Sequence, residues 1–163
     1  MICCNIRKAT AEDVPAIHAL LEHYADQGIV LRRSREDILH YLANFYVAEN
    51  ADGICGCSAV RDFGNDLLEI RSLVVAPEFQ GQGIGKAIVG KIIRDVDASR
   101  PQWRIFTLTG RPVFFGKAGF RTVQREMFPE KIWSDCRYCP KNTCCDEVAL
   151  IVTSEDDRAA SHL

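Results

Sequence analysis

Apolar positions along this chain recur at two spacings, about two residues apart in some stretches and three to four apart in others. Ile2 to Arg7 reads as a first strand. Thr10-Ala11-Glu12-Asp13 then opens a helix, with Thr10 as its cap and Asp13 where a carboxylate favours the first turn. The apolar face of that helix runs Val14, Ile17, Leu20, Leu21, Tyr24. A second helix starts at Ser34, with Asp37 in its first turn, and is expected to bury Ile38, Leu39 and Leu42. Phe45 to Ala48 and Ile54 to Val60 read as hairpin strands about a turn at Asn50-Ala51-Asp52-Gly53. Within the second of these, Cys55 and Cys57 alternate with Gly56 and should share a face. Leu67 to Ala76 is the next strand, Ile84 to Val96 a helix and Trp103 to Leu108 a further strand. Val113 to Ala118 is a short helix that Gly119 can end in a left-handed conformation. Phe120 to Gln124 and Val148 to Thr153 read as closing strands, and the polar tail from Ser154 is expected to fray.

Strands alternating with helices predict an α/β fold, as one domain over residues 1–153 with a flexible polar tail over 154–163. The length of 163 residues is enough to bury a core, and 26% charged with 47% apolar residues is a globular composition. A net charge of -2 argues against a general nucleic-acid or membrane binder. No apolar run approaches the ~20 residues of a membrane span. The N-terminus lacks the long apolar core of a secretory signal, so a cytoplasmic location is expected.

The densest chemical signal is Gln80-Gly81-Gln82-Gly83-Ile84-Gly85-Lys86, between a predicted strand and a predicted helix. Strand, glycine turn and helix together present backbone N–H groups at the positive end of a helix, an anion-binding arrangement. Glycines let the backbone approach a phosphate closely, and the N–H groups from Gln82 to Lys86 can converge on it. A Walker A loop is excluded, because Ala87 follows Lys86 where a hydroxyl should hold magnesium. A dinucleotide fingerprint fits poorly, because Gly81, Gly83 and Gly85 are spaced by two. A tight turn without a ligand stays open on the glycines alone.

The same run matches in full the Gln/Arg-x-x-Gly-x-Gly/Ala acyl-CoA loop of the GNAT acetyltransferases. Three further stretches resemble the N-acetylglutamate synthases of that family. They are Gly28-Ile29-Val30-Leu31-Arg32-Arg33-Ser34-Arg35-Glu36, Leu68-Glu69-Ile70-Arg71-Ser72-Leu73-Val74-Val75, and Ile105-Phe106-Thr107-Leu108-Thr109 followed by Phe114-Phe115-Gly116-Lys117-Ala118-Gly119-Phe120. The resemblance as a whole covers roughly residues 3–152. The resemblance implies a GNAT fold, a mixed sheet splayed near Leu73 to Ala76 with helices on both faces. It also implies acetyl-CoA as co-substrate, bound by Gln80, Gly81, Gln82, Gly83, Ile84, Gly85 and Lys86 together with Leu73, Val74 and Val75. Long members of the family carry an amino-acid-kinase-like domain first. This chain starts at the acetyltransferase and is expected to be the short, stand-alone type, for which arginine inhibition through that domain cannot be assumed.

Glutamate as acceptor would require two cations and a group that takes a proton. Bidentate arginine suits a carboxylate, and the resemblance singles out Arg33 over Arg32 and Arg35, which read as solvated. Lys141 stands where the family has a second basic residue, although lysine binds as a point charge. Glu69, a carboxylate on a predicted buried strand, needs a reason. The family supplies one, a general base for the α-ammonium, and a structural partner for Arg71 is the alternative. By the same resemblance a backbone N–H near Leu73 or Val74 would hold the oxyanion. Thr109 would hydrogen-bond the leaving thiolate, since no tyrosine follows Phe114-Phe115 in the usual place, and Ser72 would lie near the substrate unless it is an ordinary strand serine.

Eight cysteines is a high count without a signal peptide, and disulfides are not the default. Four of them crowd Asp135-Cys136-Arg137-Tyr138-Cys139-Pro140-Lys141-Asn142-Thr143-Cys144-Cys145-Asp146. A reduced loop is favoured there, either structural or, as its resemblance to a segment of short bacterial glutamate acetyltransferases implies, closing over the substrate. Zinc on Cys136, Cys139 and Cys144, or a redox-sensitive disulfide among Cys136, Cys139, Cys144 and Cys145, stays open. The expected partner is a small-molecule amino acid, with no nucleic acid and no membrane, and a homodimer stays open. Two rival functions remain: the same fold acting on another amine (glutamine, another amino acid, a protein N-terminus), and a non-catalytic acyl-CoA sensor.

Overall fold

The computed structural model describes residues 4–128 and 147–161. Seven strands form a mixed sheet in the order β1-β2-β3-β4-β5-β7-β6: β1 Asn5–Lys8, β2 Phe45–Asn50, β3 Gly53–Asp62, β4 Leu67–Val75, β5 Arg104–Thr109, β6 Arg121–Val123 and β7 Val148–Thr153. The described helices are α1 Val14–Ala25, α2 Arg35–His40, α3 Ile84–Ser99, α4 Pro112–Lys117 and α5 Ser154–Ser161. None is long and apolar enough to cross a membrane. The chain divides into two compact units, residues 1–61 with 70–96 and residues 62–69 with 97–163.

In the first unit β1 and β3 flank β2 in antiparallel register, Ile6 opposite Ala48 and Val47 opposite Cys57. The register slips between Ala48 and Glu49, so Cys55 is the extra residue of a bulge. Cys55 and Cys57 are both fully buried all the same. Burial pushes both thiols up to about 12, which leaves them protonated and poorly nucleophilic at neutral pH. The core gathers Val14, Ile17, Leu21 and Tyr24 of α1 with Ile38, Phe45, Val47 and Val74. Leu39 departs from the expected pattern and is 53% exposed. Six residues of α2 turn only one side inward, and Ile38 takes it. Helix α3 approaches β3 closely at Gly56, where a Cβ would stand 3.2 Å from the Val74 carbonyl and 3.2 Å from Ile88 Cδ1.

The start of α1 is tied to β1 by charge. The Arg7 guanidinium grips Asp13 through two bonds of 2.7 and 3.0 Å, and the Thr10 N–H donates to the same carboxylate at 2.8 Å. These bonds, led by Arg7, hold the buried Asp13 carboxyl below the usual carboxylate range. A depressed folded value means stability that is complete above the unfolded value of about 4 and is lost as pH falls through the folded value. Asp13→Asn is therefore expected to destabilise the protein at pH 7 by roughly 1–3 kcal/mol. The difference from wild type should shrink toward pH 3, as measured by urea unfolding at both pH values. An equal difference at the two would contradict this assignment.

In the second unit β4 pairs in parallel with β5 over Leu67–Glu69, and β7 lies antiparallel between β5 and β6. Leu67, Phe106, Phe128, Ala149 and Ile151 form its core, with Phe106 and Phe128 stacked at 4.1 Å. Gly119, at φ +99, ends α4 as expected. The stretch expected to fray forms α5 instead. Thr153 and Asp156 cap it reciprocally: the Thr153 N–H donates to the Asp156 carboxylate at 3.0 Å and the Asp156 N–H to the Thr153 hydroxyl at 3.2 Å. The Ser154 N–H also donates to the Trp103 carbonyl at 3.0 Å.

Candidate functional site

The glycine turn takes the shape its composition calls for. A short helical turn, Pro77–Phe79, ends at Gln80, and Gly81 and Gly83 follow at φ +77 and +85. An ordinary residue enters that left-handed region at a cost, and these two glycines are what the turn needs. Gly85 is not left-handed and already belongs to α3. Ile84 is buried, so only its backbone faces the turn, while Lys86 is exposed. The first N–H to find an acceptor is that of Ala87, on the Gly83 carbonyl at 3.0 Å. The six N–H groups from Gly81 to Lys86 find none among the described residues. They stand at the positive end of a 16-residue helix, the arrangement that attracts an anion.

Gln80 behaves differently from its neighbours. Its side-chain amide donates to the Tyr24 hydroxyl at 2.6 Å and lies 3.5 Å from the Val75 carbonyl. Tyr24 in turn donates to that carbonyl. The end of β4, the entry to the turn and the last turn of α1 therefore meet at one phenol.

Strand β4 carries a feature no sequence pattern announced. Ser72 sits in the left-handed region at φ +55, one residue before the stretch where the splay was expected. A serine held there in mid-strand is strained and is expected where function demands it. Its carbonyl receives a weak contact from the Cys57 thiol at 3.8 Å, and the Ser58 hydroxyl donates to the neighbouring Arg71 carbonyl at 3.3 Å.

Of the three arginines before α2, one is set apart. Arg32 is 55% exposed and pairs on the surface with Glu22 and Asp26, and Arg35 is also exposed. The Arg33 side chain is only 14% exposed, and its guanidinium lies over the Phe45 ring at 4.9 Å and the Tyr41 ring at 5.9 Å. Its Nε donates to Asp37 at 2.6 Å. The Ser34 hydroxyl fixes Asp37 by accepting its N–H at 3.1 Å. The two terminal nitrogens of Arg33 make no hydrogen bond among the described residues, which leaves a flat two-pronged donor face.

In the second unit Glu69 is 2% exposed, opposite Phe106 in the β4–β5 register. Thr109 ends β5 opposite Val148, and its oxygen accepts the Arg111 N–H at 2.9 Å. That leaves the hydroxyl proton to be donated elsewhere. Lys141 and the cysteines Cys136, Cys139, Cys144 and Cys145 lie outside the described residues. Among the described residues no three metal-ligating side chains cluster. Tyr24 and Asp37 went unrecognised as site residues in the sequence. Tyr24 read as one more apolar-face position, and Asp37 as a helix-start carboxylate.

Comparison with known proteins gives a consistent picture. A sequence profile of the acetyltransferase (GNAT) domain matches residues 42–122. An uncharacterized N-acetyltransferase, CT2212 of Chlorobaculum tepidum, is 39% identical over 148 residues, which is 91% of this chain and 95% of that protein. The amino-acid acetyltransferase of Mycobacterium tuberculosis is 33% identical over 136 residues, 81% of this chain and 77% of that one. Among solved structures, N-acetylglutamate synthase from Neisseria gonorrhoeae, complexed with coenzyme A and N-acetyl-glutamate, superposes with a TM-score of 0.83 at 29% identity. The match covers 94% of this chain and 35% of the synthase, so the chain spans about a third of that protein.

Proposed function

The chain belongs to the GNAT acetyltransferase family and is an N-acetyltransferase, and we propose that it moves the acetyl group of acetyl-CoA onto the α-amine of L-glutamate. The observation that carries the donor is the row of N–H groups from Gly81 to Lys86 that find no acceptor among the described residues, a receptor for the pyrophosphate of coenzyme A. The acceptor rests on the half-buried Arg33, whose remaining donor face suits a carboxylate, and on likeness to a synthase that binds N-acetyl-glutamate. Lys141 is assigned the second carboxylate.

The reaction is a direct transfer. Glu69 takes a proton from the α-ammonium, and the neutral nitrogen attacks the thioester carbonyl. Backbone N–H groups at Leu73 or Val74, just after the kink at Ser72, hold the oxyanion of the tetrahedral intermediate. That intermediate collapses with cleavage of its C–S bond; the second proton of the attacking nitrogen passes to the departing coenzyme A sulfur, which leaves as the thiol while the Thr109 hydroxyl hydrogen-bonds to it. The cysteines Cys55 and Cys57 take no part, since protonated buried thiols are poor nucleophiles.

The test is thiol release from acetyl-CoA against a panel of amines at fixed enzyme concentration. Glutamate should give the highest kcat/KM, with glutamine, aspartate and a peptide N-terminus at least ten-fold lower. Faster release with any other amine would move the acceptor to that amine. Coenzyme A binding with no release on any amine would make the chain a sensor. A narrower check addresses the donor alone. At Gly83 an added Cβ meets nothing within 4 Å, so Gly83→Ala costs only backbone strain at φ +85. The free variant relaxes away from that angle and must return to it to hold the pyrophosphate, so a strain of about 1–2 kcal/mol should weaken coenzyme A binding by about ten-fold in calorimetry.

A further inference from the structure

Gln80, at the entry to the glycine turn, is an exposed residue whose side-chain amide reaches the buried Tyr24 phenol. Gln80 is followed by six backbone N–H groups open to a ligand, yet its own amide nitrogen is committed to the Tyr24 oxygen at 2.6 Å. We propose that Tyr24 and Gln80 form a clamp that sets the shape of the 81–86 turn, which makes Tyr24 a positioning residue for the acyl-CoA donor. The assignment rests on the donor reading above.

The geometry supports this in three ways. Tyr24 is held rigidly: its ring is 4% exposed and packs in the core with Ile17, Leu21 and Val74. A phenol has one proton to donate and lone pairs to accept with. Here the proton goes to the Val75 carbonyl and the oxygen accepts from Gln80, so both capacities are used. One immobile hydroxyl thus fastens the last residue of β4 to the residue that enters the turn, five positions on.

The turn itself has little else to order it. A Cβ built on Gly81 or Gly83 meets no atom within 4 Å, so side-chain packing does not restrain the backbone there. At its far end the turn is anchored by the Ala87 N–H on the Gly83 carbonyl and by the buried Ile84 and Ile88. The clamp anchors the near end. A glycine-rich loop fixed at both ends loses less entropy when it closes on an anion, and that saving appears as affinity. The clamp also explains the choice of residue at position 80: it needs an N–H donor reaching inward, which glutamine and arginine both supply and leucine does not.

The experiment is a double-mutant cycle on the full chain. Tyr24→Phe removes only the hydroxyl, and Gln80→Leu removes only the amide at similar size. Coenzyme A affinity is read by calorimetry, and kcat with both KM values by thiol release. Each single variant should weaken coenzyme A binding by about ten-fold and raise the acetyl-CoA KM to match, with the KM for the amine changed less than about two-fold. The double variant should bind no worse than either single, because both break one unit. Gln80→Arg should recover part of the affinity lost in Gln80→Leu. Additive losses, equal shifts in both KM values, or unchanged binding in Tyr24→Phe would overturn the clamp.

Hydrogen exchange without ligand keeps this test separate from the donor reading. Both single variants should speed exchange of the Ala87 and Ile88 amides in the first turn of α3, and unchanged exchange overturns the clamp. Faster exchange in a protein whose wild type binds no coenzyme A would overturn the donor reading while leaving the clamp as a device that orders the turn.

Discussion

Replacing Glu69 by glutamine is expected to lower kcat by about 10²–10⁴-fold, the usual worth of a positioned general base. Glu69 is 2% exposed on β4, and glutamine keeps its size and shape, so the fold should hold. What is lost is the ability to take a proton. The acceptor amine is an ammonium at neutral pH and cannot attack until it is deprotonated. In the variant only the fraction already neutral in solution reacts, so its rate should climb with pH across the range where the amine titrates. Wild type should reach its plateau at lower pH. Pre-steady-state thiol release across pH 6–10, on the order of one point per half unit, resolves the two profiles. Coenzyme A affinity should not change, because the 81–86 turn is a separate device. A variant that turns over at the wild-type rate would remove Glu69 from the mechanism, and a parallel loss of melting temperature would recast it as structural.

The second large effect is expected at Arg33. Arg33→Met keeps most of the stem that covers Phe45 and removes the charged fork. Losing a bidentate, partly desolvated partner for a carboxylate typically costs several kcal/mol, so the KM for glutamate should rise by about 10²-fold. The KM for acetyl-CoA should stay within about two-fold. Arg33→Lys should recover little of the loss, because an ammonium offers a point charge and no fork. Arg32→Met provides the contrast. Its side chain is 55% exposed and salt-bridged only on the surface, where such pairs contribute little, so its kinetics should match wild type. Equal effects at the two arginines would mean that half-burial and stacking do not select the substrate partner.

Much of the candidate site is legible in the amino-acid sequence. The left-handed Gly81 and Gly83 follow from glycines between a strand and a helix, and the cap of α2 follows from Ser34 and Asp37. Burial of Glu69 follows from its place in an apolar run. Other features were hidden because their partners are distant. Nothing near Tyr24 shows that its hydroxyl meets Gln80, 56 positions on. Nothing near Arg33 shows that Phe45 lies beneath it. Leu39 looked like a core residue because its type, not its direction on a six-residue helix, was legible. The stretch from Ser154 looked like a tail because its polar composition outweighed a Thr153–Asp156 cap visible only as a pair.

Local chemistry therefore decided the order of elements, the glycine turn and its class of ligand, since each depends on residues within a few positions of one another. The tertiary structure decided which arginine is withdrawn from solvent, where β4 takes a left-handed residue at Ser72, and which hydroxyl the Gln80 amide meets. Those outcomes depend on burial and on hydrogen bonds between segments that meet only when the chain has folded.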